Sequence, residues 1–294
     1  VVLAVFSILR PSIFPTVGNL INVTRQISLL VIVSTGATIA MSVGEFDLSV
    51  GAMASFGGVL AAGFAVAGMN VLLSIFLPLF LGFLFGLGNG ILITRFRIFS
   101  FIATLSSGTI LGGITFWYTG GATIFGGIPD AFLWPGQGKF GLIPVPTVLM
   151  LVVVIIFWFV FTWTEFGRRL YAIGGNPVAA LFSGVNVGRD KTFALALSSL
   201  LASLTGIILA SRLGSAHPTA GGGMLLQAYA AVFLGMTAFK GGVPNVWGTF
   251  IGSLLIGVIA NGLTILDTPY FLQDIVTGAI VILAVILQHI EEWN

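Results

Sequence analysis

The chain is 294 residues long, and its composition excludes a water-soluble globular protein. Hydrophobic residues make up 57% of it and charged residues only 7%, whereas soluble domains carry about 25% charged residues. The net charge is only +2 and the basic residues are scattered among apolar stretches, which argues against nucleic-acid binding. Since there is no cysteine, disulfides and thiolate metal sites are excluded.

Apolar runs separated by glycine, proline or charged residues predict a protein that crosses a membrane many times. They cover residues 20–43, 51–68, 71–94, 99–118, 145–163, 192–211, 225–239, 246–266 and 270–289. The run Val1–Leu9 is shorter than the roughly 20 residues that span a bilayer, so we interpret it as the remnant of a truncated first helix.

These runs predict an all-α, polytopic membrane protein with about ten spans, in which residues 1–294 form a single transmembrane domain. The run 225–239 is short for a bilayer. It therefore predicts a broken or re-entrant helix that borders a cavity.

An acidic pair, Glu45 and Asp47, lies between the first two complete spans, in MSVGEFDLSVGAM (41–53). Carboxylates are costly near hydrocarbon, so such residues often mark a solute path or a gate. The alternative is a plain connection between spans, with Asp47 capping the following helix. We favour the connection for Glu45, whereas for Asp47 the cap and the gate are compatible.

Further polar side chains lie within or at the ends of spans: Asn89, Gln227, Asn261 and Asp274. Such groups can hydrogen-bond a sugar-like solute in transit. Each can equally form a hydrogen bond between helices, which is worth about 1 kcal/mol. With Glu45 and Asp47 they form the predicted set of path or gate residues.

The segment 119–144 is the longest stretch without a strong apolar run on its side of the protein, and it is rich in glycine and proline. It contains Phe132 and Trp134. It is either a surface for an external partner or a loop with aromatic residues at the membrane interface, and the sequence does not separate the two.

The segment Gly167–Lys191 is a polar, positively charged stretch in an otherwise apolar chain, and it contains the signals of a short helix. Asn176 is suited to the N-cap and Pro177 to the first helical position. Apolar residues then recur at helical spacing, as Val178, Leu181 and Phe182, before Gly184 ends the helix. A short helix that projects from a membrane protein on its positive side indicates a docking surface for a cytoplasmic partner.

Catalytic motifs are missing from the sequence. No phosphate-binding loop is present, because Gly138-Lys139 lacks both the upstream glycine and the following Ser or Thr. The histidines His217 and His289 are isolated, and no Ser/His/Asp set is recognisable. We therefore expect no catalytic residue, no metal site and no bound cofactor, so that transport against a gradient needs energy from elsewhere.

The basic residues predict which side of the membrane each connection occupies. If the N-terminus is cytoplasmic, the inside set is Arg95, Arg97, Arg168, Arg169, Arg189, Lys191 and Lys240, and the outside set is Arg10, Arg25, Lys139 and Arg212. The excess inside follows the positive-inside rule. The C-terminus is then cytoplasmic as well.

Several motifs in the same order resemble the permease subunits of ribose-type bacterial ABC importers. GEFDLSVGAM (44–53) is similar to a signature of that family. FIATLSSGTILGGI, GRRLYAIGGNPVAALFSGVNV, LLASLTGIILASRLGSAHPTAG and VWGTFIGSLLIGVIANGLTIL follow. The resemblance extends from about residue 14 to residue 288, nearly the whole chain.

This resemblance implies a permease of the bacterial inner membrane that pairs with a second permease subunit, either identical or paralogous, within the membrane lipid. Cytoplasmic ATP-binding subunits would use ATP and Mg²⁺, and an external or periplasmic binding protein would deliver the sugar, with ribose or another pentose as the expected class. Sugar would then pass by alternating access.

The resemblance also implies that residues 174–190 are the loop that couples the permease to the ATPase. The matching positions are Gly174, Gly175, Asn176, Pro177, Val178, Ala179, Leu181, Phe182, Ser183 and Gly184. Relatives commonly carry Glu where this chain has Pro177. The competing hypothesis is an ion-coupled secondary transporter, which would need intramembrane carboxylates such as Glu45, Asp47 or Asp274.

Overall fold

The computed structural model describes residues 2–238 and 242–292. In its first part the chain forms α1 (Val2–Leu9), α2 (Val17–Met41), α3 (Val50–Val66), α4 (Val71–Thr94), α5 (Ser100–Thr119), β1 (Ile124–Phe125), α6 (Asp130–Gln137), β2 (Lys139–Phe140) and β3 (Ile143–Pro144). It continues with α7 (Val145–Trp163), α8 (Glu165–Gly175), α9 (Pro177–Phe182), α10 (Val187–Leu213), β4 (Ser215–Ala216), α11 (Met224–Ala238), α12 (Val246–Ile265) and α13 (Tyr270–Glu292).

The predicted all-α membrane architecture is confirmed, because each apolar run of the sequence coincides with a helix. Among the described residues, α2, α4, α5, α7, α10 and α12 are long and apolar enough to cross a membrane. The helices α3, α11 and α13 contain shorter apolar stretches.

Helix α10 forms the centre of the bundle and packs against α2, α3 and α4. Its contact with α3 is close because small residues face one another. A side chain at Gly206 of α10 would overlap the backbone of Ala54, and Gly57 of α3 lies against Ser203. Membrane helices use such residues to bring their backbones together.

The connections between helices fall into two groups, one at each end of the bundle. The α9 end carries residues 42–49, 95–99, 164–186 and 242–245, and Glu45 there is paired with Lys191. The β1 end carries residues 10–16, 67–70, 119–144, 214–223 and 266–269, and strand β1 pairs there with β4.

Six of the seven basic residues of the predicted inside set lie at the α9 end: Arg95, Arg97, Arg168, Arg169, Arg189 and Lys191. The seventh, Lys240, is outside the described residues.

The segment 119–144 is folded onto the bundle. Helix α6 packs against α10 and α7, and Phe132 is completely buried. Strands β2 and β3 form a small hairpin in which Phe140 contacts the ring of Trp134. The exposed Trp134 ring lies at the β1 end, as an interfacial aromatic would.

Helix α11 is a single continuous helix of 15 residues, without the internal break that its short run suggested. It is short because the turn before it enters the bundle. The N–H of Gly221 donates to Oγ of Ser55 at 2.9 Å, and Gly221 lies against Gly51 in the first turn of α3. The chain therefore reaches the bundle interior from the β1 end before α11 begins.

Candidate functional site

Helix α9 has the capping geometry that its sequence predicts. Oδ1 of Asn176 accepts hydrogen bonds from the N–H groups of Val178 at 3.0 Å and Ala179 at 2.9 Å. Pro177 occupies the first helical position, where a missing N–H costs nothing. Beyond the helix Gly184 has a φ of +85°, a left-handed conformation that glycine adopts without strain.

The apolar residues of α9 point away from the protein. Side chains of Val178, Leu181 and Phe182 are 61%, 58% and 87% exposed, whereas Ala180 faces inward at 4%. All ten predicted coupling positions are exposed: Gly174, Gly175, Asn176, Pro177, Val178, Ala179, Leu181, Phe182, Ser183 and Gly184. We refer to these ten residues as the α9 surface. A continuous exposed apolar patch of this kind typically binds another protein.

Two helices hold α9 from its flanks. Helix α8 buries Leu170 and Ile173 in the bundle, which anchors the chain just before the α9 surface. Arg169 of α8 is paired with Asp190 of α10, with 2.6 Å between Nε and Oδ2. On the same helix, burial raises the pKa of the Tyr171 hydroxyl to about 12.

The connection between α2 and α3, residues 42–49, enters the bundle from the α9 end, and its Asp47 is completely buried. The Asp47 carboxylate accepts from the N–H of Ser49 at 3.1 Å and from its hydroxyl at 2.5 Å. The Ser199 hydroxyl of α10 donates to it at 3.4 Å. The backbone N–H of Asp47 donates to the hydroxyl of Tyr229 at 2.7 Å. Asp47 thus holds the turn that leads into α3, whereas the N-cap position of that helix is Ser49 and no side chain caps it.

Two other predicted path residues lie beside this connection. Glu45 forms an ion pair with Lys191, with 2.5 Å between Oε1 and Nζ and both side chains largely buried. Nδ2 of Asn89 donates to the Ser49 hydroxyl at 3.3 Å. The structure therefore brings Glu45, Asp47 and Asn89 together around one connection.

A cavity of about 360 Å³ lies in the other half of the bundle, towards the β1 end. Helices α2, α10, α11 and α12 line it, mostly with leucine and other apolar residues. Its polar lining consists of Gln26, Arg212, Gln227 and Thr264. Amide, guanidinium and hydroxyl groups in an otherwise apolar cavity are suited to orienting a small hydroxylated solute.

The remaining two predicted path residues lie elsewhere. Asn261 exchanges hydrogen bonds with Asn19 of α2, at 3.1 and 3.2 Å, which is the interhelical alternative that its sequence position left open. Asp274 is exposed on α13. Neither joins the cavity lining or the 42–49 connection.

The partners of the acidic pair and most of the cavity's polar lining are not predicted by the sequence. Lys191 stands out there only as a positive charge, although a lysine within the first turns of an apolar helix indicates a buried counter-charge. Tyr229 carries no sequence signal of its own, since one tyrosine in an apolar run is ordinary. Gln26 and Arg212 likewise become recognisable as cavity-lining residues only in the structure, where α2, α10, α11 and α12 meet.

The comparisons with known proteins agree along the chain. Residues 19–285 match the family described as branched-chain amino acid transport system / permease component. The chain is 42% identical to the ribose import permease protein RbsC of Bacillus subtilis (strain 168), over 98% of this chain and 90% of that protein.

Two further relatives are similar over comparable lengths. The ribose import permease protein RbsC of Escherichia coli (strain K12) is 38% identical over 98% of this chain and 91% of its own length. The D-allose transport system permease protein AlsC of the same organism is 34% identical, over 99% and 89%. No solved structure matches the chain. The matched length and these identities show that the chain belongs to this family of transport-system permease components, together with the ribose import permeases.

Proposed function

We propose that the chain is the membrane-spanning permease subunit of an ATP-driven importer of a monosaccharide, with an aldose such as ribose as the expected substrate. The observation that carries this proposal is the 42% identity to a ribose import permease over 98% of the chain. The cavity supports it, because Gln26, Gln227 and Thr264 offer neutral hydrogen-bonding groups for hydroxyls.

Energy for transport comes from a separate ATPase that binds the α9 surface from the cytoplasm and uses ATP and Mg²⁺. The exposed side chains of Val178, Leu181 and Phe182 enter a groove of that partner, in the manner of an amphipathic helix. Because α9 is held at both flanks, the helix is already ordered before it enters the groove, and this lowers the entropic cost of binding.

Solute passes by alternating access between the cavity and the 42–49 connection. The cavity receives the sugar from an external binding protein at the β1 end, and the connection closes the α9 end in this conformation. A solute shifts the equilibrium between the two conformations only by the difference in its affinity for them. The permease therefore needs few fixed polar groups, and the binding protein selects the sugar.

The α9 end is cytoplasmic and the β1 end is external in this proposal. The excess of arginine and lysine at the α9 end supports that orientation. With α3, α11 and α13 counted beside the longer helices and α1 as part of a further span, the bundle has about ten spans. A second permease subunit completes the path.

Uptake measured in a host without its own sugar and amino acid permeases tests this function. The chain would be expressed with the ATPase and the binding protein whose genes lie beside its own. Uptake of labelled ribose, allose and leucine would then be compared. We expect ATP-dependent uptake of a sugar. Uptake of leucine alone, or uptake driven by an ion gradient without ATP hydrolysis, would contradict the proposal.

The variant Phe182→Asp tests the role of the α9 surface in the same assay. We expect uptake and ATPase co-purification to fall roughly tenfold or more, because replacing a central aromatic anchor costs about 2 kcal/mol or more. Phe96→Asp is the matched control, since Phe96 is 65% exposed at the same end but lies outside the α9 surface. Normal ATPase binding by the Phe182 variant at an equal membrane level would refute the docking role.

A further inference from the structure

The segments on both sides of helix α9 contact the same eight-residue connection, residues 42–49. On one side, Gly174 at the end of α8 lies against Ser42 so closely that a Cβ there would overlap the Ser42 carbonyl oxygen. On the other side, Lys191 in the first turns of α10 is ion-paired with Glu45. Helix α9 lies between these two contacts in the chain.

The two flanks are also joined to each other. Arg169 of α8 pairs with Asp190 of α10, and the Asp190 side chain is only 2% exposed. A buried carboxylate needs its cation, so α8 and the start of α10 are held together while this pair exists. When α9 moves, α8 and the start of α10 therefore move together with it.

The connection in turn contacts α5, α10 and α11, of which α10 and α11 line the cavity. The Leu48 N–H donates to Oγ1 of Thr104 in α5, at 3.0 Å. Asp47 contacts Ser199 of α10 and Tyr229 of α11. Tyr229 is two residues beyond Gln227, which borders the cavity. A displacement of the connection thus acts on α5, α10 and α11 together.

Space for such a displacement exists beside the Gly174 contact. A cavity of about 750 Å³ is lined there by Met41 at the end of α2 and Ser42 at the start of the connection, by Gly174 and Gly175, and by Pro244 and Asn245. Packed interiors otherwise resist movement, so an open volume beside one flank lets the connection shift without unpacking the bundle.

We propose that the segments on both sides of helix α9 form a clamp on residues 42–49, with Lys191 and Gly174 as positioning residues that convert movement of α9 into opening of the path. The clamp rests on the proposed function, because it needs a partner that moves α9. Lys191 acts through Glu45 and contacts no solute. Gly174 transmits by steric contact, a role that docking alone does not require.

Charge exchange in the assembled transporter tests the clamp. Glu45→Lys and Lys191→Glu are each expected to retain ATPase co-purification while transport per ATP hydrolysed falls roughly tenfold or more, because each leaves a largely buried charge facing a like charge. The double exchange, Glu45→Lys with Lys191→Glu, is expected to restore transport to within a few-fold of the original. Arg10→Glu is the matched control, since its pair with Asp267 is exposed at the β1 end and should contribute little.

A cysteine reporter makes the test independent of the solute. The chain has no cysteine, so Phe46→Cys introduces a unique thiol in the connection, at a position 39% exposed. In inside-out vesicles with the ATPase bound, ATP is expected to change the rate of thiol labelling of Phe46→Cys when no charge substitution is present. The change should disappear with Glu45→Lys and return with the double exchange.

Three outcomes would overturn the clamp. These are full coupling in either single variant, no recovery in the double exchange, and a labelling rate that ATP leaves unchanged while the ATPase is bound. If sugar uptake is absent but ATP changes the labelling rate as expected, the clamp stands and the sugar assignment fails. If a single variant does not insert, Lys191→Met in the reporter background replaces it, and an undiminished ATP response would then refute the clamp.

Discussion

Asn176 provides the local order of the α9 surface through one side-chain oxygen. Its Oδ1 accepts from two backbone N–H groups that would otherwise have no helical partner. A helix of six residues is too short to be stable through its own backbone bonds, so the cap and Pro177 carry much of its order. The cap therefore fixes the orientation of the exposed apolar face that contains Phe182, because a disordered segment would present no fixed face.

Replacing Asn176 with Ala is therefore expected to weaken ATPase binding while leaving the apolar side chains of Val178, Leu181 and Phe182 in place. The loss of an N-cap costs about 0.5–2 kcal/mol, which corresponds to roughly a 2- to 30-fold lower affinity. Titration of the purified permease with its ATPase measures this. Asn176→Asp is the matched variant and should bind normally, because Asp caps as well as Asn; equal binding by the Ala variant would show that α9 needs no cap.

Local signals explain why α9 could be predicted from the sequence while the contacts of Glu45 could not. Asn176, Pro177 and Gly184 act within a few residues of one another, so the pattern alone defines the helix. The ion pair of Glu45 with Lys191 joins positions 146 residues apart. Only the packing of α10 against the 42–49 connection brings them together, and no periodicity in the chain encodes that meeting.

Helices in this bundle are positioned largely by the small residues between them. The contact of α3 with α10 requires a residue without Cβ at position 206, because the Ala54 backbone occupies that space. Between two helices within lipid no hydrophobic driving force remains, so van der Waals contact and hydrogen bonds determine how closely they pack.

Gly206→Ala is accordingly expected to lower the thermal stability of the detergent-solubilised protein, since overpacking a close interface costs roughly 1–3 kcal/mol. The control is Gly112→Ala in α5, where nothing lies within 4 Å of the added Cβ. Midpoints of thermal unfolding would be compared for the two variants. A Gly206 variant as stable as the Gly112 variant would mean that α3 and α10 are not in close contact.

The whole protein is organised as a bundle with two chemically different ends. The α9 end carries the basic excess and the α9 surface, while the β1 end carries the folded segment 119–144 and the mouth of the cavity. The helices of the nine long apolar runs and their order could be predicted from hydropathy, because each such run had to become a helix in lipid, whereas α6 and α8 lie in segments without an apolar run. The entry of the chain at Gly221 into the bundle could not, since glycine-rich turns look alike in sequence wherever they lie.

Cysteine labelling tests which end is cytoplasmic. Phe125→Cys at the β1 end and Phe182→Cys at the α9 end introduce single thiols at positions 78% and 87% exposed. A membrane-impermeant thiol reagent is expected to label the first in intact spheroplasts and the second only in inside-out vesicles. The reverse pattern would invert the orientation, and the unsubstituted chain is the blank because it contains no cysteine.

Helix α2 packs against α10 on one side and against α11 and α12 on the other, and it is buried along most of its length. Exchange of its amide hydrogens with solvent would require both neighbouring groups of helices to separate, so α2 should be the last part of the bundle to exchange. Residues Gln26, Leu29 and Leu30 of the same helix line the cavity. The solute would therefore travel along the most slowly exchanging helix, and the helices that move to admit it would be those that open around α2.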